Sequence, residues 1–192
     1  MIPTHSATQT PSFLRIRRAN PSDLPEIRRL QAAALRGFAR RVHGSEVVES
    51  LIPRIGDFDV ELVSDGTFFL AEIEGEAVAC GGWSVREPSF MGSEIELPTT
   101  GGVDVPHLHG VFVHPLFIGN GIGSILLEKI DSDLRGQGFA RARIAATLSA
   151  EGFFAHRGWR RQGAVFGALE GGLIFVGMGM EKRFASELRL AA

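Results

Sequence analysis

The sequence predicts a mixed α/β domain, one sheet flanked by helices, and three observations carry that prediction. A β-type run ending at Val113 empties through a glycine-rich loop into an amphipathic stretch, and a second β-type run follows over residues 141–148. That order reads as strand, helix and parallel strand in a right-handed crossover. Residues 67–73 and 77–85 are two further β-type runs joined at Glu74, Gly75 and Glu76, the signature of a hairpin. Leu24, Ile27, Leu30, Ala34 and Leu35 recur mainly at spacings of three and four, which places them on one buried helix face.

Taken in chain order, residues 1–12 are polar and aperiodic and read as a loose leader, and residues 13–192 as a single domain. Residues 13–18 alternate as a first strand. Asn20, Pro21, Ser22 and Asp23 then supply helix-start chemistry. Gly44 and Ser45, followed by Val47, Val48, Leu51 and Ile52, predict a second helix ending near Pro53. After the hairpin, residues 86–103 hold Pro88, Gly92, Pro98, Gly101 and Gly102 and sustain no period, so they read as a long surface loop. A strand follows over 105–115. Ile122, Ile125, Leu126, Ile130 and Leu134 form the next apolar helix stripe, stopped near Gly136 and Gly138. A helix over about 150–157 and two strands within 166–184, turned at Glu170, Gly171 and Gly172, complete the chain.

Composition narrows the class. A net charge of −2 gives no electrostatic case for nucleic acid. One cysteine, Cys80, excludes an intrachain disulfide framework and suits a reducing compartment. No apolar run approaches the roughly 18 residues of a membrane span, and the N-terminus lacks an apolar signal core. The expectation is a soluble cytoplasmic protein, monomeric or homodimeric.

The residues that point to chemistry are Ile118, Gly119, Asn120, Gly121, Ile122, Gly123 and Ser124. Glycine at alternate positions lets main chain approach a phosphate without Cβ atoms intervening, and a helix N-terminus directly behind it favours an anion. A nucleoside-triphosphate loop would need Lys and Ser or Thr after Gly123, where Ser124 and Ile125 stand. A dinucleotide fingerprint would need its third glycine at Ser124 and an acidic ribose ligand roughly 20 residues on, where Arg141 and Arg143 stand. A strand-to-helix turn with small residues for packing is the remaining alternative.

Three features together resemble the GCN5-related N-acetyltransferase (GNAT) superfamily: the triplet Val111, Phe112, Val113 followed by Pro115; the glycine loop; and Gly152 to Trp159, with an aromatic four residues before Gly158. The stretch Cys80, Gly81, Gly82, Trp83, Ser84 resembles a strand of small bacterial members. The resemblance covers about residues 13–184. It implies a mixed, mostly antiparallel sheet of six to seven strands with about four helices, splayed where Val111 to Val113 leave their parallel neighbour near Ala145. It implies acetyl-CoA as cosubstrate, an amine acceptor and no metal. The loop amides would receive the pyrophosphate, and the N–H of Phe112 or Val113 would face the developing oxyanion. Ile118 departs from the family's Arg or Gln.

Several family members place a Glu four residues before the triplet as general base; here His107 holds that position, and alternation puts His109 on the same face. An imidazole of pKa about 6.5 accepts a proton near neutrality. Asp104 and Glu72 are reserves. At Phe154 the family has a Tyr that protonates the leaving thiolate, and this chain has no Tyr at all. His156 and Ser149 are the candidate substitutes. Cys80 reads as a buried strand residue rather than a nucleophile, Trp83 as core or cleft wall, and Arg157, Arg160 and Arg161 as surface or as contacts for a coenzyme phosphate. The corresponding reading is a direct-transfer N-acetyltransferase, with an acyl-CoA-binding sensor of lost or weak catalysis as the alternative.

Overall fold

The structure, a computed structural model, describes residues 14–56, 59–86 and 105–184. The leader, Phe13, most of the expected surface loop and Asp104 lie outside the described residues.

Among the described residues seven strands form one sheet in the order β1-β2-β3-β4-β5-β7-β6. They are β1 (Arg15–Arg18), β2 (Phe68–Ile73), β3 (Glu76–Ser84), β4 (His107–Val113), β5 (Arg141–Thr147), β6 (Arg160–Ala168) and β7 (Ile174–Arg183). Neighbours run antiparallel except β4 and β5, which are parallel. Helices are α1 (Leu24–Ala34), α2 (Arg40–His43), α3 (Ser45–Ile55), α4 (Asp59–Ser64), α5 (Ile122–Gly136) and α6 (Glu151–Ala155).

Alternation sorts the strand side chains into layers. Phe69 and Ala71 pack with Ile122, Leu126, Leu127, Ile130 and Leu134 of α5 on one face, while Phe68 and Leu70 meet Ile27, Leu30 and Leu62 of α1 and α4 on the other. Each such fully buried Leu, Ile or Phe contributes about 1.5–3 kcal/mol. A third cluster joins Val48 and Leu51 of α3 to Val165 and Phe175 of β6 and β7. Among the described residues no helix is long and apolar enough to cross a membrane.

Four elements differ from the sequence reading. The first helix does not stop at Leu35: a π-turn (Leu35–Ala39) and α2 extend it to His43. Helix α3 runs past Pro53 to Ile55, because proline near its end forgoes one hydrogen bond rather than a run of them. Helix α4, six residues long, has too few turns for a period to show. Strand β6 begins at Arg160, not 166; it is the sheet edge, and its first five residues are exposed, so no apolar alternation marks them.

Candidate active site

Strand β4 positions the site through one irregularity. Gly82 pairs with His109 and Cys80 with Phe112, so Gly81 alone faces two residues, Gly110 and Val111. This is a β-bulge, and Gly110 takes the positive φ of 59° that it needs. The extra residue switches the parity of the strand: Leu108, Val111 and Val113 all lie against the α5 side, while Phe112 turns to α1 and α3. The His114 amide donates to the Val78 carbonyl at 2.8 Å. Amide alternation along extended chain then turns the Phe112 N–H toward β3 as well and leaves those of Val111 and Val113 facing β5.

Strand β5 is not there to meet them. It pairs with β4 only at His107 with Arg143 and Leu108 with Ile144, and then follows β7 as far as Thr147 opposite Gly177. The two parallel strands therefore splay, and a cleft of about 610 Å³ opens between Gly110 to Val113 on one side and Ala145 to Thr147 on the other.

At one end of the cleft lies the glycine loop. A 3-10 turn (Pro115–Phe117), capped by His114 Nδ1 accepting from the Leu116 amide, leads into Gly119 at φ 84° and Gly121 at φ 78°. A Cβ at either glycine would meet no atom within 4 Å, so the loop faces open space. Gly121 is the N-cap of α5 and supplies no side chain to its amides. Among the described residues nothing accepts from the amides of Gly119, Gly121, Ile122 and Gly123. The Ser124 amide differs from the sequence reading: it closes the first turn on the Gly121 carbonyl at 3.0 Å, so its hydroxyl is what it presents to the loop. Arg157 Nη2 donates to that hydroxyl, and its guanidinium lies 5.6 Å from the Phe153 ring centroid. Asn120 caps the preceding turn by donating to the Phe117 carbonyl at 3.4 Å, and Ile118 is half-exposed beside it.

Phe154 lines the cleft yet is 2% exposed, held edge-on by Phe153 and Trp159 at 5.1 and 5.7 Å. Ser149 lines the cleft and shares a hydrogen bond with Thr147 at 3.1 Å. His156 does not reach it; its Nδ1 bonds the Gly152 carbonyl of its own helix. Arg161 is drawn to Glu151, so of the three arginines only Arg157 stands at the loop.

His107 and His109 both line the cleft, rings 6.4 Å apart. The sequence predicts ordinary imidazoles poised near neutrality; burial removes that poise. Desolvation, aided by the Arg143 guanidinium, lowers His107 to about 4, and desolvation with His107 beside it lowers His109 to about 3. Glu72 is tied to Arg17 at 2.6 Å outside the cleft. Cys80 is fully buried, donates to the Gly110 carbonyl at 3.4 Å and has its thiol pushed well up by burial, so it is a packing residue and not a thiolate. Trp83 packs on Phe139 and donates to Asp133 at 2.9 Å, in the core rather than the cleft.

Sequence reasoning missed Gly110, whose isolated position in a strand was the available signal for a bulge. It also missed Gln31, Asp59 and Phe153, which no local pattern marks.

The family model described as the acetyltransferase (GNAT) family matches residues 32–164. The chain belongs to that GNAT acetyltransferase family. No curated protein matches this GNAT chain in sequence. Among solved structures it is similar to a GCN5-related N-acetyltransferase from Rhodopseudomonas palustris, with a TM-score of 0.71 at 18% identity over 94% of this chain and 100% of that one. It is similar to the PaiA N-acetyltransferase of Thermoplasma acidophilum in complex with coenzyme A, TM-score 0.65 at 15% identity over 89% and 99% of the two chains. A GNAT acetyltransferase from Brucella melitensis in complex with acetyl-CoA gives 0.58 at 21% identity over 90% and 88%. Identities this low speak for the fold, and the fold is the splayed GNAT sheet.

Proposed function

We propose that this protein is an acetyl-CoA-dependent N-acetyltransferase that moves an acetyl group directly to a primary amine. The observation carrying the proposal is the set of loop amides without internal acceptors, placed at the mouth of the splay between β4 and β5. Acetyl-CoA fits what is there. Its pyrophosphate suits the amides of Gly119, Gly121, Ile122 and Gly123 at the positive end of α5, with Arg157 and the Ser124 hydroxyl beside them. Its pantetheine amides suit main chain that β5 leaves without a ladder partner at 110–113. The complexes of the Thermoplasma and Brucella proteins support the same occupant. When bound, the thioester supplies an activated acetyl group.

The chain's own residues then do three things. The loop and splay hold a long flexible ligand in one pose. The Val113 N–H, turned toward the cleft, meets the carbonyl oxygen as negative charge grows on it; such a donor is worth about 10²–10³ in rate. His107 and His109 present neutral, weakly basic imidazoles that accept hydrogen bonds from the acceptor or its water without holding the proton. The rate should therefore rise with the amine's own deprotonation and show no inflection near 6.5. His107→Gln, which keeps a hydrogen-bonding side chain, is expected to lower kcat less than tenfold and leave the pH profile of kcat/KM unchanged. A limb near neutrality that vanishes in the variant would make His107 the base after all.

Phe154 favours the second reading, an acyl-CoA sensor, because a phenyl ring donates no proton. A thiol of pKa about 8.5 nevertheless leaves tolerably as an anion near neutral pH. Steady-state release of free thiol from acetyl-CoA with a panel of primary amines separates the two readings. Turnover that depends on the amine is expected; binding without release would leave the sensor. The single buried Cys80 supports a cytoplasmic setting.

A further inference from the structure

The far end of the cleft has a chemistry of its own. Its walls are Leu35 and Phe38 from the π-turn, Leu51 and Ile55 from α3, and Phe175 from β7. π-turns widen a helix locally and recur at functional positions. This one is pressed against the strand-to-loop junction: a Cβ on Gly37 would stand 2.9 Å from Pro115. One ionisable carboxylate joins these apolar walls. Asp59, 1% exposed, accepts from Gln31 Nε2 at 2.8 Å, and that same nitrogen lies 3.1 Å from where a Cβ of Gly110 would be. The carboxylate is thus one hydrogen bond from the bulge in β4. Among the described residues lining the cleft the lone Arg or Lys is Arg157, and it stands beside Ser124 at the loop.

We propose, building on the N-acetyltransferase reading, that this end selects primary amines with an apolar body and no carboxylate, arylalkyl- or alkylamines, with Asp59 as the anchor for the ammonium. An ammonium entering a desolvated chamber needs an opposite charge, and Asp59 provides it. The carboxylate of an amino acid would enter the same chamber with no Arg or Lys among the described lining residues at that end to receive it and Asp59 to repel it, so the chamber discriminates against that class by charge as well as by shape. Side chains such as Phe38 and Phe175 cover a flat or linear hydrocarbon body. In the transfer, the ammonium first gives one proton to water; the amine nitrogen then forms a bond to the acetyl carbon as the carbon–sulfur bond breaks. The second nitrogen proton goes to solvent, and the departing thiolate takes one up. The balance is ammonium plus thioester giving amide, thiol and one proton.

The test compares 2-phenylethylamine with phenylalanine, which differ by the carboxylate, in steady-state thiol release, with acetyl-CoA affinity followed separately by calorimetry. A kcat/KM at least 100-fold higher for phenylethylamine is expected. Asp59→Asn should raise its KM at least tenfold while calorimetric acetyl-CoA affinity is unchanged. Phe38→Ala removes a side chain that is 38% exposed, so it reads the apolar wall even if the Asp59 variant fails to fold. It should raise KM for phenylethylamine several-fold and leave that of ethylamine unaltered. Equal use of phenylalanine, or a Phe38 variant that treats both amines as the wild type does, overturns the proposal. Acetyl-CoA that binds while neither aromatic amine releases thiol overturns the acceptor class alone. Acetyl-CoA that does not bind overturns the transferase reading and this one with it.

Discussion

Gly121→Asp is expected to weaken acetyl-CoA binding at least 100-fold, roughly 2.7 kcal/mol, while the protein stays folded. Gly121 sits at φ 78° and ψ −5°, in the left-handed region, where Asp is among the side chains that lose least. A Cβ there meets no atom within 4 Å, so the fold loses only about 1–2 kcal/mol of backbone preference. The ligand loses far more. The new carboxylate projects into the space that the loop amides face, against a pyrophosphate of the same sign, and blocks approach to charge-assisted hydrogen bonds worth about 1.5–3 kcal/mol each. Calorimetry on the variant, with its thermal unfolding recorded in parallel, checks both halves. Wild-type affinity in a folded variant would remove the loop from the site.

The second large effect is acid lability. His107 and His109 are uncharged in the fold, with pKa values of about 4 and about 3 against 6.5 for an ordinary imidazole. The unfolded chain therefore binds protons that the folded chain refuses throughout the window from 6.5 down to those values. Stability is fully present above about 6.5 and falls as pH drops, by up to ~1.4 kcal/mol per pH unit for each histidine. Together they should remove roughly 5 kcal/mol by pH 4.5, a large share of the stability of an ordinary domain. Asp131, whose pKa burial raises, works in the opposite direction because its folded form takes up a proton more readily; Asp23, lowered by Arg17, adds to the loss only at stronger acid. Urea midpoints from pH 7.5 to 4.5 measure the slope. His107→Gln and His109→Gln should each remove a large share of it, the rest coming from other groups such as His43, whose pKa burial also lowers. A stability flat across this window would mean that both rings are solvated and that the cleft floor is wetter than its burial says.

What could be read from the sequence follows from where the signals are local. The strand-loop-helix passage from Val111 to Leu134 carries period, turn and cap in one contiguous segment, and the fold places it as read. The same is true of the hairpin about Glu74 and Gly75, whose strands pair in the expected antiparallel sense. Edge strand β6 escaped because its exposed side obeys no apolar period. The splay was foreseen only through the family resemblance: by itself Ala145 looks like any strand residue until β4 bulges at Gly110 and leaves it. The cleft's far end was illegible for a related reason. Leu35 of the π-turn, Asp59 of α4, which Gln31 of α1 bonds, and Phe175 of β7 are far apart in the chain, and nothing short of the fold brings them together. The histidines were legible as cleft residues by position, but their basicity was not, since burial and the nearness of Arg143 set it.

Coenzyme binding centres on the loop amides that lack internal acceptors, and following backbone ¹⁵N–¹H resonances during an acetyl-CoA titration addresses them one by one. Large, saturable downfield shifts at Gly119, Gly121, Ile122 and Gly123, with the Ser124 amide moving less because Gly121 already holds it, are the expected result. Saturable binding that leaves those four resonances in place would contradict the account.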